Sequence, residues 1–125
     1  MKVLLISTPQ SSLQALSRGL KTNPAVELCV AESGSQALEL AADGSLQLVI
    51  AQQDLTDMSG LAFLNKLLAV NPMIDSALTS SLKPDDFHRA SEGLGVLMQL
   101  PLQPGEEHGR LLLEKLEQVH GLLNP

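Results

Sequence analysis

The stretch LVIAQQDLTDMSG, residues 48–60, decides how this chain folds. Its first four residues, Leu48 to Ala51, are apolar without interruption, the mark of a short strand buried on both faces. Gln52, Gln53 and Asp54 follow, then a polar segment that closes at Gly60. An amphipathic helix pattern starts at once, with Leu61, Leu64, Leu67, Leu68 and Val70 as its apolar positions. A strand that passes through a short loop into a helix is half of a parallel βαβ unit. In such sheets, ligands and chemistry collect at the carboxyl ends of the strands, and Gln52 and Gln53 stand at that end.

The same alternation extends in both directions. Upstream, residues 3–6 form an apolar strand signal bounded by Ser7, Thr8 and Pro9, and Leu13, Leu16 and Leu20 recur at helical spacing. Asn23-Pro24 closes that helix, because a residue before proline is pushed out of the helical region. Residues 26–31 read as a second strand, and Ser33-Gly34-Ser35 as a turn and cap for a helix over 36–42 that ends at Asp43-Gly44. The third strand spans 46–51, and Asn71-Pro72 closes the helix after it. Residues 74–79 predict a fourth strand. Pro84, with Asp85 and Asp86, suits the first turn of a short polar helix running to about Glu92. Residues 95–100 predict a fifth strand, stopped by Pro101 and Pro104. The last helix spans 106–123, with Leu112, Leu116, Val119 and Leu123 on one face and Leu111, Leu113 and Leu122 widening it. Five strand and helix pairs with nearly all-apolar strands argue a doubly wound α/β fold, its parallel sheet covered on both faces.

The chain's 125 residues suit one domain, and with aromatics at 2% its core must be aliphatic. Fourteen acidic against eight basic residues give a formal charge of −6, with the basic residues scattered. Such a field disfavours nucleic acid and anionic membrane as partners. No apolar run approaches the roughly 20 residues of a membrane span, and the start MKVLLIS is too short for a signal peptide, so a cytoplasmic location is the default expectation. The one cysteine, Cys29 in VELCV, reads as a buried apolar thiol.

Candidate chemistry is sparse. The loops at the strand ends carry Ser7-Thr8-Pro9, Gln52-Gln53-Asp54, Thr79-Ser80-Ser81 and Leu100-Pro101, and only Asp54 and Asp57 add acidic groups. Magnesium wants oxygen ligands including carboxylates, so no metal site is expected; Asp57 reads instead as a cap for the helix that follows it. The hydroxyls have no adjacent base, since His88, His108 and His120 all lie in or beside late helices. Neither GxGxxG nor GxxxxGK[ST] occurs. The N–H groups of Ser33-Gly34-Ser35-Gln36 could face an anion at a helix start, although turn and cap is the simpler reading. No cofactor and no enzymatic activity are expected.

Taken together, VLLIS, LVIAQQDLTDMSGLAFL, ALTSS and VLMQLPL resemble the receiver domain of two-component response regulators over about residues 1–119, with DMSGL at 57–61 and Pro101 the most specific matches. The resemblance implies a flavodoxin-like five-stranded (βα)5 sheet of order 2-1-3-4-5. Receiver domains accept a phosphoryl group on an aspartate after the third strand. They hold Mg²⁺ on an acidic pair after the first, and sense the phosphate through a hydroxyl after the fourth strand and a lysine after the fifth. Here the accepting position falls on Gln52, the acidic pair on Ser7 and Thr8, and the lysine on Leu100; only the hydroxyl is kept, at Thr79 or Ser80. An amide cannot form the acyl phosphate.

The resulting expectation is a pseudo-receiver that signals through protein contacts with a partner or a fused output domain. Its contact surface is expected on the face of the fourth helix, fifth strand and fifth helix, around Phe87, Leu97 and Leu113, where a homodimer could also form. Two alternatives accompany it: Asp54 as a substitute phosphoacceptor, and a nucleotide or flavin binder on the same sheet. Residues 1–121 are expected to form the receiver-like domain and 122–125 a tail or the start of a linker.

Overall fold

The computed structural model describes residues 1–7 and 13–120, the side chain of His120 excepted. Strands and helices alternate throughout: β1 (Lys2–Ile6), α1 (Gln14–Leu20), β2 (Glu27–Ala31), α2 (Gly34–Ala41), β3 (Leu48–Ala51), α3 (Gly60–Val70), β4 (Asp75–Thr79), α4 (Pro84–Ala90), β5 (Val96–Leu100) and α5 (Glu106–His120). The strands form one parallel sheet in the order β2-β1-β3-β4-β5, the doubly wound flavodoxin-like arrangement that the alternation and the resemblance imply. The expected tail at 122–125, and Leu122 and Leu123 on the last helix, lie outside the described residues.

Strand side chains alternate between two cores. On one side Leu4, Ile6, Val49, Ala51 and Leu78 meet Ala37 and Ala41 of α2, Phe63, Leu64 and Leu67 of α3, and Phe87 of α4. On the other, Val3, Leu5, Leu48, Ile50, Ala77 and Leu100 meet Leu13, Leu16 and Leu20 before and on α1, and Leu112, Leu113 and Leu116 of α5. Every residue of β3 is buried, because helices cover both of its faces. β2 is an edge strand with an exposed Val30. Cys29, within it, is therefore half-buried and not the buried thiol that VELCV suggests.

Two expected surface residues belong to the cores instead. Phe87 is 7% and Leu113 5% exposed: each is the inward residue of its helix turn, since a helix lying on a sheet buries its most apolar position. Leu97 is half-buried. The pairing of β4 with β5 shifts between Ser76 and Ala77, where Val96 and then Met98 are the partners, so Leu97 is an inserted residue. The bulge breaks the two-residue alternation, and Leu97 and Met98 both pack against the α1–α5 side. The outward apolar residues of this region are Leu82, Leu102, Leu111 and Val119. On α3, similarly, Leu68 and Val70 face outward while Phe63 fills the core.

α1 and α5 cross with their backbones nearly touching. A Cβ on Gly19 would overlap the carbonyl oxygen of Glu106, and one on Gly109 would stand 2.7 Å from the backbone nitrogen of Leu20. Arg18 closes the crossing with an ion pair to Glu106 at 3.0 Å.

Candidate functional site: the carboxyl edge of the sheet

Strand register brings the expected site residues into one row. Leu5 pairs with Ile50, Ala51 with Leu78, and Thr79 with Leu100. Continuing each strand by one or two residues sets Ser7, Gln52, Thr79 and Leu100 side by side across β1, β3, β4 and β5. Thr8 and Pro9 lie outside the described residues. Ser7 donates its backbone N–H to the Ala31 carbonyl at 2.8 Å, prolonging the β1–β2 pairing. Leu100, which the resemblance sets at the lysine position, is fully buried in the α1–α5 core, and Pro101 after it is exposed.

Of the two candidate hydroxyls, Thr79 stands in the row and is 1% exposed. Its Oγ1 accepts the backbone N–H of Gln53 at 3.1 Å. The Ser80 hydroxyl turns the other way and accepts the Leu82 N–H at 3.1 Å, shaping the loop between β4 and α4.

That loop is held by two amide side chains, Gln53 at the strand end and Gln99, which no sequence motif marks. The Gln53 Oε1 accepts both the Ser81 backbone N–H at 2.8 Å and the Ser81 hydroxyl at 3.0 Å. From the other flank, Gln99 Nε2 donates to the Leu82 carbonyl at 2.8 Å and to the Ser80 carbonyl at 3.3 Å. Glutamine suits both tasks because one amide group carries an acceptor and two donors without charge. Gln99 left one trace in the sequence, a polar residue inside the apolar strand VLMQL. Gln53 is marked by its place at the carboxyl end of the third strand, whereas its partner Ser81 is not.

The loop from Gln53 to Ser59 is a tight antiparallel turn. Asp54 and Ser59 bridge, Leu55 N–H donates to the Met58 carbonyl at 2.9 Å, and Gly60 N–H to the Gln53 carbonyl at 2.9 Å. Gly60 is obligatory there, since a Cβ would overlap the Gln52 carbonyl oxygen and the Leu78 side chain. Ser59 caps α3, its hydroxyl accepting from Ala62 N–H at 3.1 Å.

Asp57 therefore does not cap α3. It reaches the start of α2, where its carboxylate accepts from Gly34 N–H at 2.9 Å, Ser35 N–H at 3.0 Å and the Ser35 hydroxyl at 2.8 Å. Sequence proximity to α3 hid this, because the helix start it serves is 23 residues away in the chain. These bonds hold the Asp57 carboxyl below the ordinary carboxylate value, the Gly34 N–H contributing most. The anion that the Ser33–Gln36 turn can face is thus the protein's own.

Asp54 is exposed, and its carboxylate has no ion pair or hydrogen-bond partner among the described residues. It stands on the rim of a cavity of about 250 Å³ between α3 and the β4–α4 loop.

No known family model matches the chain, and no curated protein matches its sequence. Solved structures do match its fold. The signal receiver domain of an HD domain-containing protein from Pseudomonas fluorescens Pf-5 is similar at a TM-score of 0.78 and 24% identity, over 96% of this chain and 89% of that one. A response regulator receiver domain protein from Clostridium thermocellum is similar at 0.78 and 18%, over 98% of each chain. The response regulator domain of CheB from Thermotoga maritima is similar at 0.77 and 17%, over 100% of this chain and 98% of that one. At these identities the likeness is one of fold: this chain has the fold of receiver domains.

A receiver's Mg²⁺ does not fit the groups present. Residues 7–12 read STPQSS with no carboxylate, Gln52 offers a neutral carbonyl oxygen, and Asp57 is committed to α2. Among the described residues, no three His, Cys, Asp or Glu side chains converge.

Proposed function

We propose that this chain is a receiver-like regulatory domain that acts through protein–protein contacts without accepting a phosphoryl group. One observation carries the reading: the row Ser7, Gln52, Thr79, Leu100 is uncharged, and the loop that follows Thr79 is tied by the amides of Gln53 and Gln99. A carboxamide oxygen is a poor nucleophile toward phosphorus, and its adduct has no acyl phosphate to form. The Thr79 Oγ1 accepts the Gln53 N–H and so ties the end of β4 to the loop after β3. Neutral hydrogen bonds also avoid the like-charge repulsion of a carboxylate cluster, so the loop keeps one arrangement in the absence of any modification.

A second reading keeps phosphoryl transfer and moves it to Asp54. What favours it is the exposed Asp54 carboxylate, without an ion pair among the described residues, on a cavity that Ser59, Ser80 and Ser81 also line. Its oxygen would attack the donor's phosphorus, forming an aspartyl phosphate as the donor's leaving group departs with the bonding electrons. Incubation with acetyl phosphate, with and without Mg²⁺, followed by intact-mass measurement and peptide mapping, separates the two. The first reading requires an unchanged mass; a phosphoryl group mapped to Asp54 establishes the second.

A further inference from the structure

The cavity between α3 and the β4–α4 loop has the chemistry of a receptor for a side chain. Leu61, Leu78, Leu82 and Phe87 form its apolar walls, Ser80 and Ser81 add polar atoms, and Asp54 supplies a full negative charge at its rim. Among the described residues, no basic side chain lines it. Its volume of about 250 Å³ is below the range usual for drug-sized ligands, and it matches a long aliphatic stem ending in a polar head. The Gln53–Ser81 bonds fix one wall in advance, which lowers the ordering cost of binding.

The sign of the charge selects the head group. The amino end of α3, at Ser59 and Gly60, contributes about half a positive charge, but the Asp54 carboxylate contributes a whole negative one. The rest of the molecule, with a formal charge of −6, reinforces it. An anionic group would meet this field unpaired, and a neutral one would leave Asp54 without a partner.

We infer that this cavity receives a lysine or arginine side chain from a protein partner, the stem lying along Leu61, Leu82 and Phe87 and the cation pairing with Asp54. The inference rests on the reading of the domain as one that acts by protein contact, and it adds the chemistry of the contact. Long basic side chains bury their methylenes and keep the charge at the water's edge, which matches apolar walls beneath an exposed carboxylate.

The test is a titration of the isotope-labelled chain followed by amide NMR at constant ionic strength. The probes are n-butylguanidinium, n-butylammonium, 1-pentanol and butyrate, together with a capped Gly-Gly-Arg-Gly-Gly peptide and free arginine. The two cations and the peptide are expected to give saturable shifts centred on Gln53, Asp54, Leu61, Ser81 and Leu82. Asp54→Asn should weaken the cations about fivefold, the scale of a partly exposed ion pair, and leave 1-pentanol unaffected. Leu82→Lys, which supplies a cation from within, should abolish the response, and Glu114→Gln on the opposite face should not alter it. Shifts spread over the acidic surface, equal binding of butyrate, or an Asp54→Asn affinity equal to that of the unaltered chain would overturn the inference. Binding of free arginine without binding of the peptide would overturn its assignment to a protein partner. The same samples, treated with acetyl phosphate and weighed, report separately on the parent reading, since a phosphorylated Asp54 would refute that reading whatever the titration shows.

Discussion

Asp57 shows how much one residue can differ in role from what its neighbours suggest. Capping preferences permit both Asp57 and Ser59 before α3, and only the folded chain reveals that Ser59 takes that helix while Asp57 takes α2. Its pKa is lowered in the fold, so its contribution to stability is fully present above the ordinary aspartate value of about 3.9 and is lost as pH falls through the lower folded value. Urea melts between pH 7 and pH 2.5 are therefore expected to show an acid-side loss in the unaltered chain that is smaller in Asp57→Asn, because the amide does not titrate. Ser76 makes a different point. It is 1% exposed beside the β5 bulge, and its hydroxyl has no hydrogen-bond partner among the described residues. Ser76→Ala is expected to raise stability by about 1 kcal/mol, the lower end of the penalty for a buried unsatisfied group; an unchanged or lower urea midpoint would contradict this.

Among the elements, the α1–α5 crossing and the β4–α4 loop both hold contacts that no sequence pattern marks. The apolar faces of both helices could be read from spacing alone. Their closeness could not, because a glycine inside a helix reads only as a cost of about 1 kcal/mol relative to alanine. At Gly109 the backbone of α1 fills the space, so overpacking outweighs propensity: Gly109→Ala is expected to destabilise by roughly 1–3 kcal/mol, where an ordinary helical site would gain. The loop's hydrogen bonds were equally hidden, since a side-chain amide reaching a loop backbone follows no period. In Gln53→Ala, the Ser81 amide loses its acceptor, and its hydrogen exchange should quicken roughly fivefold, the equivalent of one net hydrogen bond of about 1 kcal/mol. Gln99→Ala should raise exchange across 80–82 in the same direction. Unchanged protection in both variants would mean that the amides do not hold the loop.

For the whole molecule, DMSGL and the five nearly all-apolar strands made the architecture readable, because burial on both faces of a parallel sheet forces continuous apolar runs. The row of Ser7, Gln52, Thr79 and Leu100 followed from the same count. The inward placing of Phe87 and Leu113 is not legible, because an apolar residue on a surface helix can face either way and only packing decides; Leu82, Leu102, Leu111 and Val119 are the apolar residues exposed in that region. The molecule that results has a receiver's fold with a neutral strand-end row. Rebuilding the charges by Ser7→Asp, Thr8→Asp and Gln52→Asp is expected to lower the urea midpoint without Mg²⁺ through carboxylate repulsion, and added Mg²⁺ should recover part of the loss. The most direct measurement is an amide spectrum of the unaltered chain before and after acetyl phosphate with Mg²⁺. Gln53 and residues 79–82 are expected to keep their positions; displacement of those amides, accompanied by added phosphoryl mass, would contradict a domain that accepts no phosphoryl group.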